Sequence, residues 1–377
     1  MIYIHIPFCV RKCSYCAFYS IVNESGRQAY VDALCEEIRQ RADELWDTRH
    51  KVHTVYIGGG TPTVLTIEQF EQILERLHRS FNMSEVVECT IEANPENLTP
   101  QYILSLRRMG FFNRISVGIQ SFDDADLCTL NRRHSGEQAR EALRQAKNMG
   151  FRNVSVDLIY GIPGQTEAGW LANLDVCAEI GVQHLSCYAL TVEKGTMLER
   201  QIDTGRVAMP DDSDMVSRYR LLLDWCRANG FRQYEVSNFC VGPYRSRHNS
   251  RYWNRTPYMG FGAAAHSFDG QHRRWNVPDV GRYVRQLSVG ARLRAVDYYE
   301  SETLSQADAF NEYVMTALRT TDGIDTSLVD ARYMEGLKRG MAKYVAAGLV
   351  DECDGVYRPT EEGLLHADGM ATDLFVV

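Results

Sequence analysis

Six short runs rich in aliphatic and β-branched residues recur over the first 190 positions, at 2–6, 54–57, 86–91, 115–119, 154–159 and 184–190. Between them lie longer stretches whose apolar residues return every three or four positions, the spacing of a helix with one buried face. One such stretch covers 28–45. Another starts at Thr66, where a Thr followed three residues later by Gln69 reads as a reciprocal helix cap. Pro95, Pro100, Gly110, Gly150 and Gly181 punctuate the gaps. Strand and helix therefore alternate six times, which predicts parallel strands because each crossover carries a helix. Six units are too few for a closed eightfold barrel. The expected fold class is α/β, a partial (β/α)6 TIM-like barrel.

Past about residue 195 the alternation fades. A long helix is expected over 211–230, an aromatic-rich irregular region over 231–280 and a helix over 304–318. From Tyr333 the pattern reads helix, then two short β runs at 348–350 and 355–357, then a helix over 361–370. That order predicts a smaller α+β, winged-helix-like C-terminal domain. Its segment is not notably basic, so it reads as a scaffold or lid rather than a reader of DNA. The expected division is a barrel over 1–230, a connecting region over 231–300 and a C-terminal domain over 301–377.

Composition narrows the function classes. A chain of 377 residues, 45% apolar, can bury a large core. Asp and Glu outnumber Lys and Arg by 49 to 41, a net charge of −8 that argues against a nucleic-acid partner. No apolar run approaches the roughly 20 residues that span a bilayer, and the opening MIYIHIPF lacks a basic leader. A cytoplasmic location is expected. Eleven cysteines, an odd number without a small-domain framework, fit a reducing compartment.

Three of those cysteines carry the chemistry. Cys9, Cys13 and Cys16 stand at Cys-x3-Cys-x2-Cys directly after the first β run. Three thiolates at this spacing suit a [4Fe–4S] cluster whose fourth iron is left open to a small molecule. A zinc site is the alternative, but zinc wants four ligands, usually as two separated pairs, and no second pair follows. The ends of the other β runs also hold polar or glycine signals: Gly58-Gly59-Gly60-Thr61, Glu92, Gln120, Asp157 with Gly161 just beyond, and Tyr188. In βα barrels such strand ends converge on the active site.

With Tyr15 immediately before Cys16, the cysteine motif resembles the signature of the radical S-adenosylmethionine (SAM) superfamily. The glycine run Gly59, Gly60 and Thr61 resembles its second motif, which binds the methionine amino group of SAM. Tyr3 in YIHIPFC, Glu92 in EANP, Gln120 in GIQSF, Arg132 in LNRRH and Asp157 in DLIYGIPGQ match SAM-site positions of the HemN-like branch, with Arg133 an alternative to Arg132. The resemblance implies a cluster on the three cysteines, SAM chelated by the open iron, and an electron donor such as flavodoxin or ferredoxin. It also implies cleavage of SAM to a 5′-deoxyadenosyl radical. Arg132 is expected to hold the SAM carboxylate, and Glu92 or Asp157 its ribose hydroxyls or ammonium.

Two departures set this chain apart within the branch. Coproporphyrinogen dehydrogenases carry a further cysteine where this sequence has Phe18, and an amino-terminal extension where only eight residues precede Cys9. Both count against oxidative decarboxylation. The run His248-Asn249-Ser250-Arg251-Tyr252-Trp253 resembles instead the HNxxYW motif of the HemW subgroup. That resemblance implies a haem chaperone that passes haem to an acceptor protein, respiratory and membrane-associated. His248, Tyr252 and Trp253 are its candidate haem contacts, since histidine ligates iron and aromatic faces suit a macrocycle. The same motif can equally brace the barrel against the tail. His266 in GFGAAAHSF is a second candidate, its loop facing the SAM side. A coproporphyrinogen III dehydrogenase, or another radical SAM tailoring enzyme, is the competing expectation. His5 reads as a core residue beside the cysteine loop, and Cys35, Cys177 and Cys187 as buried small hydrophobes.

Overall fold

The inner framework is a run of six parallel strands in chain order: β1 (Ile2–Ile6), β2 (Thr54–Gly59), β3 (Glu88–Ala93), β4 (Arg114–Gln120), β5 (Val154–Tyr160) and β6 (His184–Ala189). The computed structural model describes residues 1–22, 25–43, 52–288 and 298–376. Helices Arg27–Gln40, Ile67–Ser80, Pro100–Arg108, Gly136–Asn148 and Glu167–Ile180 make the crossovers, so the partial α/β barrel stands as expected. The first of these helices stops at Gln40 rather than running to 45, and positions 44 and 45 lie outside the described residues. The cap at Thr66 forms in full: its hydroxyl accepts from the Gln69 amide at 3.3 Å while the Gln69 side chain accepts from the Thr66 amide at 3.1 Å.

Every strand alternates. Ile4, Val55, Ile57, Cys89, Ile91, Ile115, Val117, Val156, Leu158 and Leu185 are fully buried on the outer face beneath the helices. The intervening residues are polar and bond one another between neighbouring strands: Tyr56 to Glu92, Ser116 to Asp157, Ser155 to His184. Parallel strands covered on both faces are usually apolar throughout. This barrel is lined with polar groups instead.

The region over 231–280 is more ordered than its sequence suggests. Strands β7 (Arg232–Glu235) and β8 (Asn238–Cys240) form a hairpin that pairs antiparallel with β6, and β9 (Met259–Phe261) runs parallel to β1. Elements of three or four residues are too short to show a period, and they form because the sheet edges offer unpaired groups. Strands β10 (His266–Phe268), β11 (His272–Asn276) and β12 (Tyr299–Thr303) make a separate antiparallel sheet. Gly260 allows β10 to cross β9 closely, since a Cβ there would sit 1.9 Å from the His266 carbonyl oxygen.

The C-terminal region closes its own core around Phe310, Val314, Leu318, Leu337, Met341 and Tyr357. Its sheet orders β13 (Ile324–Asp325), β15 (Val356–Pro359) and β14 (Val350–Cys353). Asp354 and Gly355, both at positive φ, turn the hairpin in the sense that matches strand twist. Helices Ala331–Ala346, Glu361–Leu365 and Ala367–Leu374 flank it, giving the smaller α+β unit. Among the described residues no helix is long and apolar enough to cross a membrane.

Candidate functional site

The cysteine segment leaves the carboxyl end of β1 and is pinned on three sides. Cys9 donates its amide to Ile21 O at 3.0 Å, the amide of Ser14 bonds Leu130 O at 3.1 Å, and Leu198 donates back to Ser14 O at 2.8 Å. Asn131 holds the Lys12 carbonyl at 2.9 Å. Gly60 and Thr61 donate backbone amides to Ile6 O and Phe8 O at 2.9 and 2.8 Å. A Cβ on Gly60 would lie 2.7 Å from Phe8 O and 3.1 Å from Cys9 Sγ, so glycine is what lets this turn approach the thiol. Cys9, Cys13 and Cys16 are half-buried free thiols. Burial pushes the Cys9 and Cys16 thiols up, each charge opposed further by the neighbouring sulfurs. Such thiols ionise readily only when a metal takes the charge. Among the described residues no three His, Cys, Asp or Glu side chains converge on one ion. Three cysteines on one loop, with no fourth such ligand completing a tetrahedral set among the described residues, suit a cube with one open iron better than tetrahedral zinc. Tyr15 packs its ring on the Leu130, Ile159, Ile162 and Leu198 cluster beneath the loop.

Around the hollow, Glu92 accepts from the Tyr56 hydroxyl at 2.6 Å and the Gly59 amide at 3.0 Å. Burial, with Asp157 nearby, lifts its carboxyl to about 7 against the pull of those two bonds. Asp157 is raised too, chiefly by burial, although Ser186 and Ser116 donate to it. Arg132 bonds the Asn94 side chain at 2.7 Å and the Gly118 carbonyl, and its Nε is buried without a partner among the described residues. Gln120 takes a left-handed φ of 71° at a bulge against β5. Tyr3 lies over Tyr56, rings 6.1 Å apart, with its hydroxyl 3.0 Å from His5 Nδ1. Two under-compensated carboxylates on the inner faces of β3 and β5 suit a cationic guest, and SAM carries both an ammonium and a sulfonium.

The HNSRYW residues form the helix Arg247–Trp253 at the opposite end of the barrel. Glu88, the first residue of β3, accepts the amides of Arg247 and His248 at 2.9 and 2.8 Å. His248 is 0% exposed; Nδ1 meets Thr54 Oγ1 at 2.9 Å and Nε2 meets the Tyr252 hydroxyl at 3.1 Å. Burial holds its pKa well below the usual histidine range, so the ring is neutral. Tyr252 packs edge-on against Tyr258, and the Arg319 guanidinium lies 5.6 Å from the Trp253 ring. Arg255, just beyond, bonds Ala309 O and pairs with Glu312. The expected site residues therefore split into two groups: those at the carboxyl ends of the strands, which come together, and those of HNSRYW, which lie at the amino ends and join barrel to tail.

The radical SAM superfamily profile matches residues 3–177. The chain is 35% identical over 377 residues to the haem chaperone HemW of Mycobacterium tuberculosis, covering 99% of this chain and 94% of that protein. It is 30% identical over 369 residues to HemW of Bacillus subtilis, covering 96% of each. The chain belongs to the HemW family. Its fold is also that of coproporphyrinogen III oxidase (HemN) from Escherichia coli, with a TM-score of 0.84 at 24% identity over all of this chain and 89% of that one.

The polar lining of this HemW-family barrel includes residues that motif matching passes over: Tyr56, Asn94, Ser116 and Ser186, each bonded to Glu92, Arg132 or Asp157. The period-two alternation of the strands would have found Tyr56, Ser116 and Ser186. Glu37 has no such signal. Fully buried on the helix Arg27–Gln40, it accepts from the Gly262 amide, Asn276 Nδ2 and Arg41 Nη1 at 2.7–2.8 Å and from the Tyr283 hydroxyl at 2.5 Å. It thereby anchors the glycine loop between β9 and β10.

Proposed function

We propose that this HemW-family chain captures haem and delivers it to an acceptor protein, holding a [4Fe–4S] cluster on Cys9, Cys13 and Cys16 and SAM beside it. The near full-length identity to a protein named as a haem chaperone carries this reading. When bound, the cluster and SAM supply one-electron chemistry or a ligand-sensitive switch. Gly59, Gly60 and Thr61 offer backbone groups to the SAM amino acid, Glu92 and Asp157 supply the negative charge its cations need, and Arg132 takes the carboxylate. Tyr15 and Gln120 stand at the same end of the barrel, and Tyr3 lies deeper, in the amino half of β1, its hydroxyl on His5. Reducing surroundings, as in the cytoplasm, suit the free thiols. A respiratory, membrane-associated acceptor and a flavodoxin or ferredoxin donor complete the proposal.

Haem titration of the anaerobically reconstituted protein, followed by incubation with an apo-acceptor and, separately, with coproporphyrinogen III, SAM and reductant, tests it. Stoichiometric uptake and transfer without decarboxylated product is the expected outcome. Protoporphyrinogen formation, read by mass spectrometry, overturns the chaperone reading in favour of a dehydrogenase.

A further inference from the structure

An iron ligand needs a ring nitrogen with a free lone pair and an open path to it. Most histidines of this chain fail that test. His248 and His184 are buried with both nitrogens engaged, His184 by Ser155 Oγ at 2.7 Å and the Tyr234 hydroxyl at 2.8 Å. His5 is buried between the Tyr3 hydroxyl and the Tyr19 carbonyl. His134, also buried, lies between Ile119 O and Glu96. Among the described residues His266 alone is an exposed histidine with neither a hydrogen bond nor an ion pair.

We propose that His266 is the protein ligand to haem iron, at the cysteine end of the barrel and not at the HNSRYW helix. The proposal rests on the haem-chaperone reading and names the residue that carries it out. Three observations support it. The imidazole is pre-oriented: it pairs across β10 and β11 with Trp275, ring centroids 6.0 Å apart and planes 24° apart, while Trp275 Nε1 is tied to Glu300 at 3.2 Å. Holding the ring plane beforehand removes part of the ordering cost of ligation. The segment that carries the imidazole also starts beside the cysteine loop. A Cβ on Gly262, four residues earlier, would lie 2.5 Å from His5 O, and His5 Nε2 bonds Tyr19 O at 3.1 Å, directly after Phe18. Finally, that loop presents bare apolar surface, Phe18 at 72% and Val22 at 59% exposure, of the kind a flat hydrophobic macrocycle would cover. Phe18 thus becomes a contact for cargo at the position where the dehydrogenases have cysteine.

The test uses the full chain with its cluster reconstituted anaerobically, titrated with ferric protoporphyrin IX and followed by Soret absorbance, magnetic circular dichroism and electron paramagnetic resonance. In the wild type an imidazole-ligated signature is expected. His266→Ala should lose that signature and weaken binding at least tenfold, and His266→Cys should bind with a thiolate-ligated spectrum. Because His266 is exposed, both variants should keep the wild-type iron content and circular dichroism. Unchanged ligation and affinity in His266→Ala, with haem still bound by the wild type, overturns the ligand assignment and leaves the chaperone reading intact. A wild type that takes up no haem overturns the chaperone reading itself, and this proposal with it.

Discussion

One guanidinium nitrogen of Arg132 donates to the Cys13 sulfur at 3.3 Å, while the other holds the Asn94 side chain and the Gly118 carbonyl. Arg132 is thus a strut between the cysteine loop and two strand ends. A cationic donor at a cluster thiolate stabilises the reduced, more negative state. Arg132→Met should leave iron incorporation near the wild-type level, lower the cluster's midpoint potential and weaken SAM binding by about 2 kcal/mol, the size of a charge-assisted hydrogen bond. Anaerobic potentiometry and calorimetry read the two effects separately.

Glu92 gives a pH signature. Its carboxyl is raised in the fold from 4.5 to about 7, first by burial. Between those values the folded protein holds a proton that the unfolded chain has released. Stability from this group therefore falls as pH rises from about 4.5 to 7, and above 7 the deficit is complete, on the order of 3 kcal/mol. Glu92→Gln should flatten that decline, leaving the apo-protein more stable than wild type at pH 8 and little changed at pH 4.5. Denaturant unfolding across this range, compared between the two proteins, measures it. SAM added to the wild type should recover part of the lost stability above pH 7, and should do so far less in Glu92→Gln.

At the other end of the barrel, His248→Phe keeps the ring volume but strands Thr54 Oγ1 and the Tyr252 hydroxyl without their partner. A cost of about 2–4 kcal/mol is expected from two buried polar groups left unpaired. The helix that His248 anchors also meets the tail, through the Trp253 ring and, just beyond it, Arg255. Limited proteolysis should accordingly speed up near 305–320. Retained stability in this variant would count against a bracing role for the motif.

Glu37→Gln breaks a fully buried pair with Arg41 and weakens a four-donor hub. Removing one partner of such a pair typically costs about 3–5 kcal/mol. The local effect should be faster amide exchange over 260–267, read by hydrogen–deuterium mass spectrometry, with exchange in β3 and β4 little changed.

The barrel was legible in the sequence because each unit declares itself locally. The six strand runs have the right residues at the right spacing, and Thr66 with Gln69 caps a helix wherever it is met. The polar groups at the strand ends were legible too, since parallel topology brings every carboxyl end to one side. What stayed hidden depends on partners distant in sequence. Residues 238–240 and 259–261 become strands only because β6 and β1 offer an edge. The place of His248 follows from Glu88 and Thr54, more than 150 residues earlier, and nothing within HNSRYW marks it as the floor of the barrel rather than its rim. Glu37 looks like one more surface carboxylate of an amphipathic helix until the chain returns at Gly262.

The HNSRYW helix lies across the amino ends of the strands, and the cysteine loop stands at the other side. The amino end of the barrel is therefore stoppered by the chain itself, and the polar groups at the strand ends are met from the cysteine side. If haem is taken up at that face, as proposed, supplier and recipient contend for the same surface and take turns at it.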